Sequence, residues 1–163
     1  MLVLKKHSRV ALIYFLLAAL LGVVLRAFYT IEIPINYRFV VHGHSHIALL
    51  GWVYVALTTL IYKTYIDQAS YYSKYRYIFW FTQITIVGML VTFPFIGYKA
   101  LSIVFSTLFL FASYSFTWFI LKHGKKELKD PNSFKCVKIA LGYMVLSSIG
   151  PWALGAIMST IGT

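Results

Sequence analysis

The chain has 163 residues, 60% of them hydrophobic and only 12% charged, with a mean hydropathy of +0.77. That excludes a disordered chain and is far too apolar for an ordinary soluble domain. A net charge of +11 would suit nucleic acid, but the cations sit in short loops between apolar runs, where they act as topology signals and meet anionic head groups; no nucleic-acid partner is expected, and the single Cys136 excludes an internal disulfide.

Five apolar runs are long enough to cross a bilayer of ~30 Å, which takes ~20 helical residues. They lie at roughly 10–28, 40–62, 77–97, 100–121 and 137–160. All are continuous rather than alternating, so they read as helices and not as barrel strands. The expected fold is therefore an all-α integral membrane protein, a single bundle of about five transmembrane helices over residues 1–163, in contact with the lipid bilayer.

The first run is too long for a cleaved signal peptide. It ends in Arg26-Ala27-Phe28-Tyr29, which is no small-residue cleavage site. The second carries His42-Gly43-His44-Ser45-His46 near its start. In the third, Thr82, Gln83 and Thr85 are modest polar contacts. Between the fourth and fifth runs lies a charged hinge at 122–136. Its Pro131 should stop the fourth helix, and Asn132 or Ser133 should cap the fifth. Pro151 in the fifth run should kink that helix near Ser147. Gly142, Gly150 and Gly155 read as close-packing surfaces.

Lys and Arg are distributed unevenly. Lys5, Lys6, Arg9, Lys63, Lys74, Arg76, Lys122, Lys125, Lys126, Lys129, Lys135 and Lys138 fall on one side; Arg26, Arg38 and Lys99 fall on the other. The positive-inside rule then predicts a cytoplasmic N-terminus and an external C-terminus, in what reads as a bacterial inner (plasma) membrane. Tyr29, Tyr37, Tyr71, Tyr72, Tyr75, Tyr77 and Trp80 suit interfacial anchoring.

On this topology the three histidines of the second run lie roughly 4–10 Å below the external boundary. An imidazole in hydrocarbon is costly, and a cluster of three is a functional-site hypothesis by default. At ~100° per residue His42 and His46 share a face, and His44 points away. The i,i+4 pair can hold one metal ion, copper or zinc, or one member can be an axial ligand to a haem. A haem's two axial ligands approach from opposite sides, so the second must come from another helix or chain. Met158 near the external end of the fifth run and, deeper, Met89 in the third are the candidate partners, although single Met residues in apolar helices mostly serve packing.

Two other readings of the triad stay open: a proton path or pH-responsive cluster, since imidazole titrates near neutrality, and interhelical hydrogen bonding. Arg38, four residues before His42, suits a haem propionate or a lipid phosphate. Gly43 and Gly51 present flat patches to a porphyrin or another helix. Trp52 and Tyr54 could line a cofactor pocket. His7 and His123 read as solvated or head-group residues. No carboxylate lies deep in a span, since Glu32, Asp67, Glu127 and Asp130 are all in loops; a transporter built on intramembrane Asp or Glu is disfavoured.

His42-Gly43 at the start of helix two resembles the N-terminal part of the haem–copper oxidase subunit I superfamily. His44-Ser45-His46 with Gly51-Trp52 is similar to the haem- and copper-containing membrane proteins of the nitric-oxide response. The resemblance implies a low-spin haem ligated by His42, with His46 one turn deeper and Arg38 and Gly43 beside it. It also implies electron transfer or oxygen/nitric oxide chemistry. The family's copper and remaining haem ligands come from later helices that this chain does not contain. The expectation is thus an oxidoreductase subunit incomplete on its own, the N-terminal part of something longer or a short relative, working with other membrane subunits or as a homo-oligomer. A metal-handling protein using His42, His44 and His46 for copper or zinc, and a cofactor-free structural subunit, are the alternatives.

Overall fold

A computed structural model describes residues 2–66, 69–124, 131–153 and 157. These residues are almost wholly helical, with no strand among them. The elements are α1 (Leu2–Ala27), α2 (Tyr37–His46), a π-helical segment (Ile47–Tyr54), α3 (Val55–Tyr65), α4 (Ala69–Ile96), α5 (Ala100–His123) and α6 (Pro131–Ser147). Five stretches are long and apolar enough to cross a membrane: Lys5–Ala27, Tyr37–Tyr65, Ser70–Ile96, Ala100–His123 and Asn132–Ala153. The second of these joins α2, the π segment and α3 end to end. The chain is a helical integral membrane protein.

Helix boundaries run past the apolar runs, because hydropathy marks the slab a helix crosses and not where its hydrogen bonding ends. α4 begins about two turns before residue 77, and α1 extends back to Leu2. α2 starts at Tyr37, with Asn36 extended before it and its side chain accepting from the Arg38 N–H. That cap satisfies one of the orphan donors of the first turn. At the start of α6 the capping expectation needs correction: Pro131 is already helical, ahead of both residues expected to cap. Asn132 and Ser133 lie inside the first turn, where the Ser133 hydroxyl is 2.6 Å from Tyr65 OH.

The second span is sandwiched between α1 and α4; α5 packs on α4 and α3, and α6 on α5. α4 is the central helix. Its buried stripe runs Tyr75, Phe79, Thr82, Gln83, Ile86, Met89 and Phe93, spacings that hold one helix face inward. Two glycines let neighbours close on this pair of spans. A Cβ on Gly88 would fall 2.3 Å from the Phe105 ring, and one on Gly51 would fall 2.9 Å from Tyr14 Cγ. Gly51 thus serves helix contact. Gly142 and Gly150 meet nothing within 4 Å, which corrects their reading as close-packing surfaces; Gly155 lies outside the described residues.

Pro151 interrupts α6 as expected. Regular helix stops at Ser147, Ser148 forms a turn, and helical residues resume at 149. The Ser147 hydroxyl donates to Met144 O at 2.7 Å and the Ser148 hydroxyl to Val145 O at 2.6 Å. Trp152 Nε1 donates to Tyr114 OH, which in turn bonds Ser148, so the break is tied to α5.

At the end of the bundle away from the histidine cluster, the structure overturns two expectations. His7 is only 5% exposed. Its ring stacks on Phe79 at 3.8 Å between centroids, with Tyr75 at 5.4 Å, and its Nδ1 is buried with no hydrogen-bond partner among the described residues. Tyr75 is no interfacial anchor either: it is buried, stacks on Tyr62 at 3.8 Å, and donates to Thr59 Oγ1. The signal is present in α1. His7 stands on the same stripe as the buried Ala11, Tyr14 and Ala18, at helical spacing. His123 is half-exposed against Tyr71 and Phe119.

Candidate functional site

The histidines occupy the last turns of α2, immediately before the π segment. π turns interrupt regular helices mostly at functional sites. Because 42–46 is still regular α-helix, the 3.6 period governs it, and the three rings divide as that period requires. His42 and His46 face α4 and the turn after it; His44 faces α1.

His46 stacks on Phe93 of α4, with centroids 4.4 Å apart. Its Nδ1 lies 2.8 Å from the carbonyl oxygen of His42, one turn back. A carbonyl can only accept, so Nδ1 carries a proton, and in the neutral ring Nε2 keeps its lone pair. His44 repeats the arrangement across a helix interface: its Nδ1 is 3.0 Å from Ala18 O of α1. Metal-binding histidines are commonly held in this way, donating the second ring N–H to a backbone carbonyl. The His42 ring packs edge-on against Tyr98, 4.6 Å between centroids. Tyr98 lies in the α4–α5 turn, and partial burial pushes its phenol above the ordinary value, so it is a neutral ring at neutral pH. Ser45 directs its hydroxyl to Val41 O and His42 O.

The turn that carries Tyr98 depends on Gly97. Its φ is +62°, and its N–H donates to Phe93 O at 3.0 Å. This left-handed residue ends α4 and satisfies a terminal carbonyl. Phe39 of α2 lies over it, so a Cβ there would stand 2.3 Å from the Phe39 ring. Pro94, inside α4, packs its ring on Gly43: a Cβ on Gly43 would be 2.9 Å from Pro94 Cγ. The flat patch at Gly43 is therefore taken by Pro94 and is buried, while Arg38 stands exposed in the first turn of α2.

Open space lies on the other side. A groove of about 810 Å³ between α1 and α2 is lined by Ala19, Gly22, Val23, Arg26, Tyr37 and His44, among others. Gly22 keeps its wall low beside the imidazole, since a Cβ there would lie 3.4 Å from His44 Cε1. The groove is apolar along α1 and polar at its rim, where Arg26, Tyr29 and Tyr37 gather. In the sequence Arg26 reads only as a topology signal; its place one turn after Gly22 is what sets both on the face toward His44.

Among the described residues no three His, Cys, Asp or Glu side chains converge as a metal-binding group. His42, His44 and His46 do not meet at one point. Of the methionines weighed as partners, Met89 is fully buried in the core one turn from Phe93, and Met158 lies outside the described residues. Trp52 packs on Phe15 at the lipid face, and Tyr54 packs on Phe109; neither adjoins the histidines. Compared with protein-family models, curated proteins and solved structures, the chain matches none.

Proposed function

We propose that the chain is a haem-binding membrane subunit of oxidase-like type, acting in electron transfer or oxygen/nitric oxide chemistry through the histidines of its second span. One observation carries the reading. Two imidazoles of the cluster, His44 and His46, hold Nδ1 against backbone carbonyls, so that in the neutral ring Nε2 is the basic nitrogen. Such a nitrogen is the donor that haem iron takes from histidine.

The residues fit the group best on the His44 side. The groove there is apolar along its wall, and Arg26 at its rim has the forked donor geometry that binds carboxylates. A haem presents carboxylates in its propionates, and when bound it would supply reversible one-electron chemistry. The chain's own part is to hold the His44 ring against Ala18 O, to keep Gly22 flat beside it, and to offer Arg26 to an anion. The resemblance to oxidase subunit I favours His42 instead, with Arg38 beside it, and Tyr98 would then fix the ring from its edge. Copper or zinc on the His42/His46 pair is the competing cofactor reading. The positive-inside distribution supports an external location for the cluster, in a bacterial inner membrane. The exposed apolar face of α6, with Ile139, Tyr143 and Leu146, suits lipid or a further membrane subunit.

The test is a visible spectrum of the detergent-purified protein, air-oxidised and then dithionite-reduced, with metal analysis on the same sample. Reduced haem bands lost in His44→Ala and kept in His42→Ala support the groove site. The reverse supports the oxidase-like assignment. A colourless protein carrying copper or zinc that falls with His42→Ala overturns haem. Neither pigment nor metal after expression with both supplied overturns the cofactor reading altogether.

A further inference from the structure

About midway along α4, far from the histidine cluster, Gln83 and Tyr54 share an unmet need. Gln83 is only 5% exposed. Its Nε2 donates to Phe79 O at 3.3 Å, but its Oε1 is buried and has no partner among the described residues. The Tyr54 hydroxyl is in the same condition. In an apolar bundle each such group is destabilising until it is paired. Both line one small cavity, together with Thr58, Thr82, Tyr75 and Phe116. The cavity holds about 10 Å³, close to the ~10–15 Å³ that one water needs.

The hydrogen-bonding inventory of the walls is specific. Gln83 Oε1 can only accept. Tyr54 OH has a hydrogen to give. Thr58 donates to Tyr54 O at 2.8 Å and Thr82 to Ile78 O at 2.8 Å, so both hydroxyls have committed their hydrogens and keep lone pairs. The site thus lacks one donor for Gln83 and one acceptor for Tyr54, and offers acceptors for a second hydrogen. We propose that this cavity is a binding site for a single water molecule, which donates to Gln83 Oε1 and to a threonine oxygen and accepts from Tyr54 OH. Bound water of this kind typically makes about three such bonds. The water joins the end of the π segment, where Tyr54 sits, to the centre of α4. No other small ligand fits the volume, and the walls carry no charge for an ion.

Infrared spectra of hydrated films decide it. The wild-type spectrum minus that of Tyr54→Phe is recorded in ordinary water and in water labelled with oxygen-18. Tyr54→Phe keeps the ring that packs on Phe109, so the bundle should remain intact. A sharp O–H stretching band that moves on oxygen-18 labelling, and is absent again in Gln83→Leu, supports the site; the exposed Ser115→Ala variant should leave it in place. A difference band insensitive to oxygen-18 would mean that Tyr54 bonds Gln83 directly and would overturn the proposal. No band in the wild type would mean a dry cavity and would overturn it too. If Gln83→Leu fails to fold, the labelled Tyr54→Phe difference and an experimental density map at Gln83 Oε1 still decide.

Discussion

The two ends of this bundle treat histidine in opposite ways. At one end His44 and His46 are half-buried, and each has its Nδ1 on a backbone carbonyl. At the other, His7 is sealed against aromatic rings with Nδ1 unpaired among the described residues. Both sets lie on apolar membrane-spanning helices, so composition does not separate them. The partner does. An imidazole beside a helix carbonyl can hold one tautomer and offer a base, whereas an imidazole stacked on Phe79 contributes mainly the area and flat shape of its ring. A membrane histidine is thus chemically available when its second nitrogen is already occupied.

The largest effect should come from Gly97, which shapes the turn over His42 at the first of these ends. Gly97→Ala imposes a left-handed backbone cost of ~1–2 kcal/mol and crowds the Phe39 ring, where overpacking costs ~1–3 kcal/mol. Thermal unfolding in detergent should therefore show a clear fall in Tm, and an unchanged Tm would mean that the turn relaxes freely. Next comes a pair of matched changes that should differ in sign. His44→Phe loses the bond to Ala18 O, a loss of ~0.5–1.5 kcal/mol. His7→Phe keeps the stack on Phe79 and removes a buried unpaired nitrogen whose burial costs ~1–3 kcal/mol, so it should be neutral to stabilising. If both variants shift Tm in the same direction, the contrast between the ends fails. The smallest effect is at Gly142, where an added Cβ meets nothing within 4 Å; Gly142→Ala should stay within ~0.5 kcal/mol of the parent, which sets the baseline for the others.

Several local features are legible in the residues alone. The opposition of His42 and His46 to His44 follows from the period of the helix. Pro151 announces its own break because its ring cannot continue the hydrogen-bond ladder. His7 is legible too, on the stripe with Ala11, Tyr14 and Ala18, but proximity to Lys5, Lys6 and Arg9 makes it read as solvated. Charge in neighbouring residues says little about one face of a helix, since those cations that are described beside it, Lys5, Lys6 and Arg9, are exposed while His7 is buried. Gln83 is visible as a polar residue in a span; its orphaned oxygen is not, because pairing depends on what the second span and α5 bring to it.

Hydropathy is enough to establish the solvent of this protein. Five runs of apolar residues, each about as long as the bilayer is thick, demand helices that satisfy their own backbone. Which side of each helix meets protein and which meets lipid is a matter of packing. Core and lipid faces are equally apolar, so burial leaves no hydropathy signature inside a membrane. Gly43, Gly51 and Gly88 are closed by Pro94, Tyr14 and Phe105 while Gly142 stands open, although all four are glycines in apolar helices. The groove beside His44 likewise exists only in the assembled bundle, set by how α1 and α4 close on the second span from its two sides.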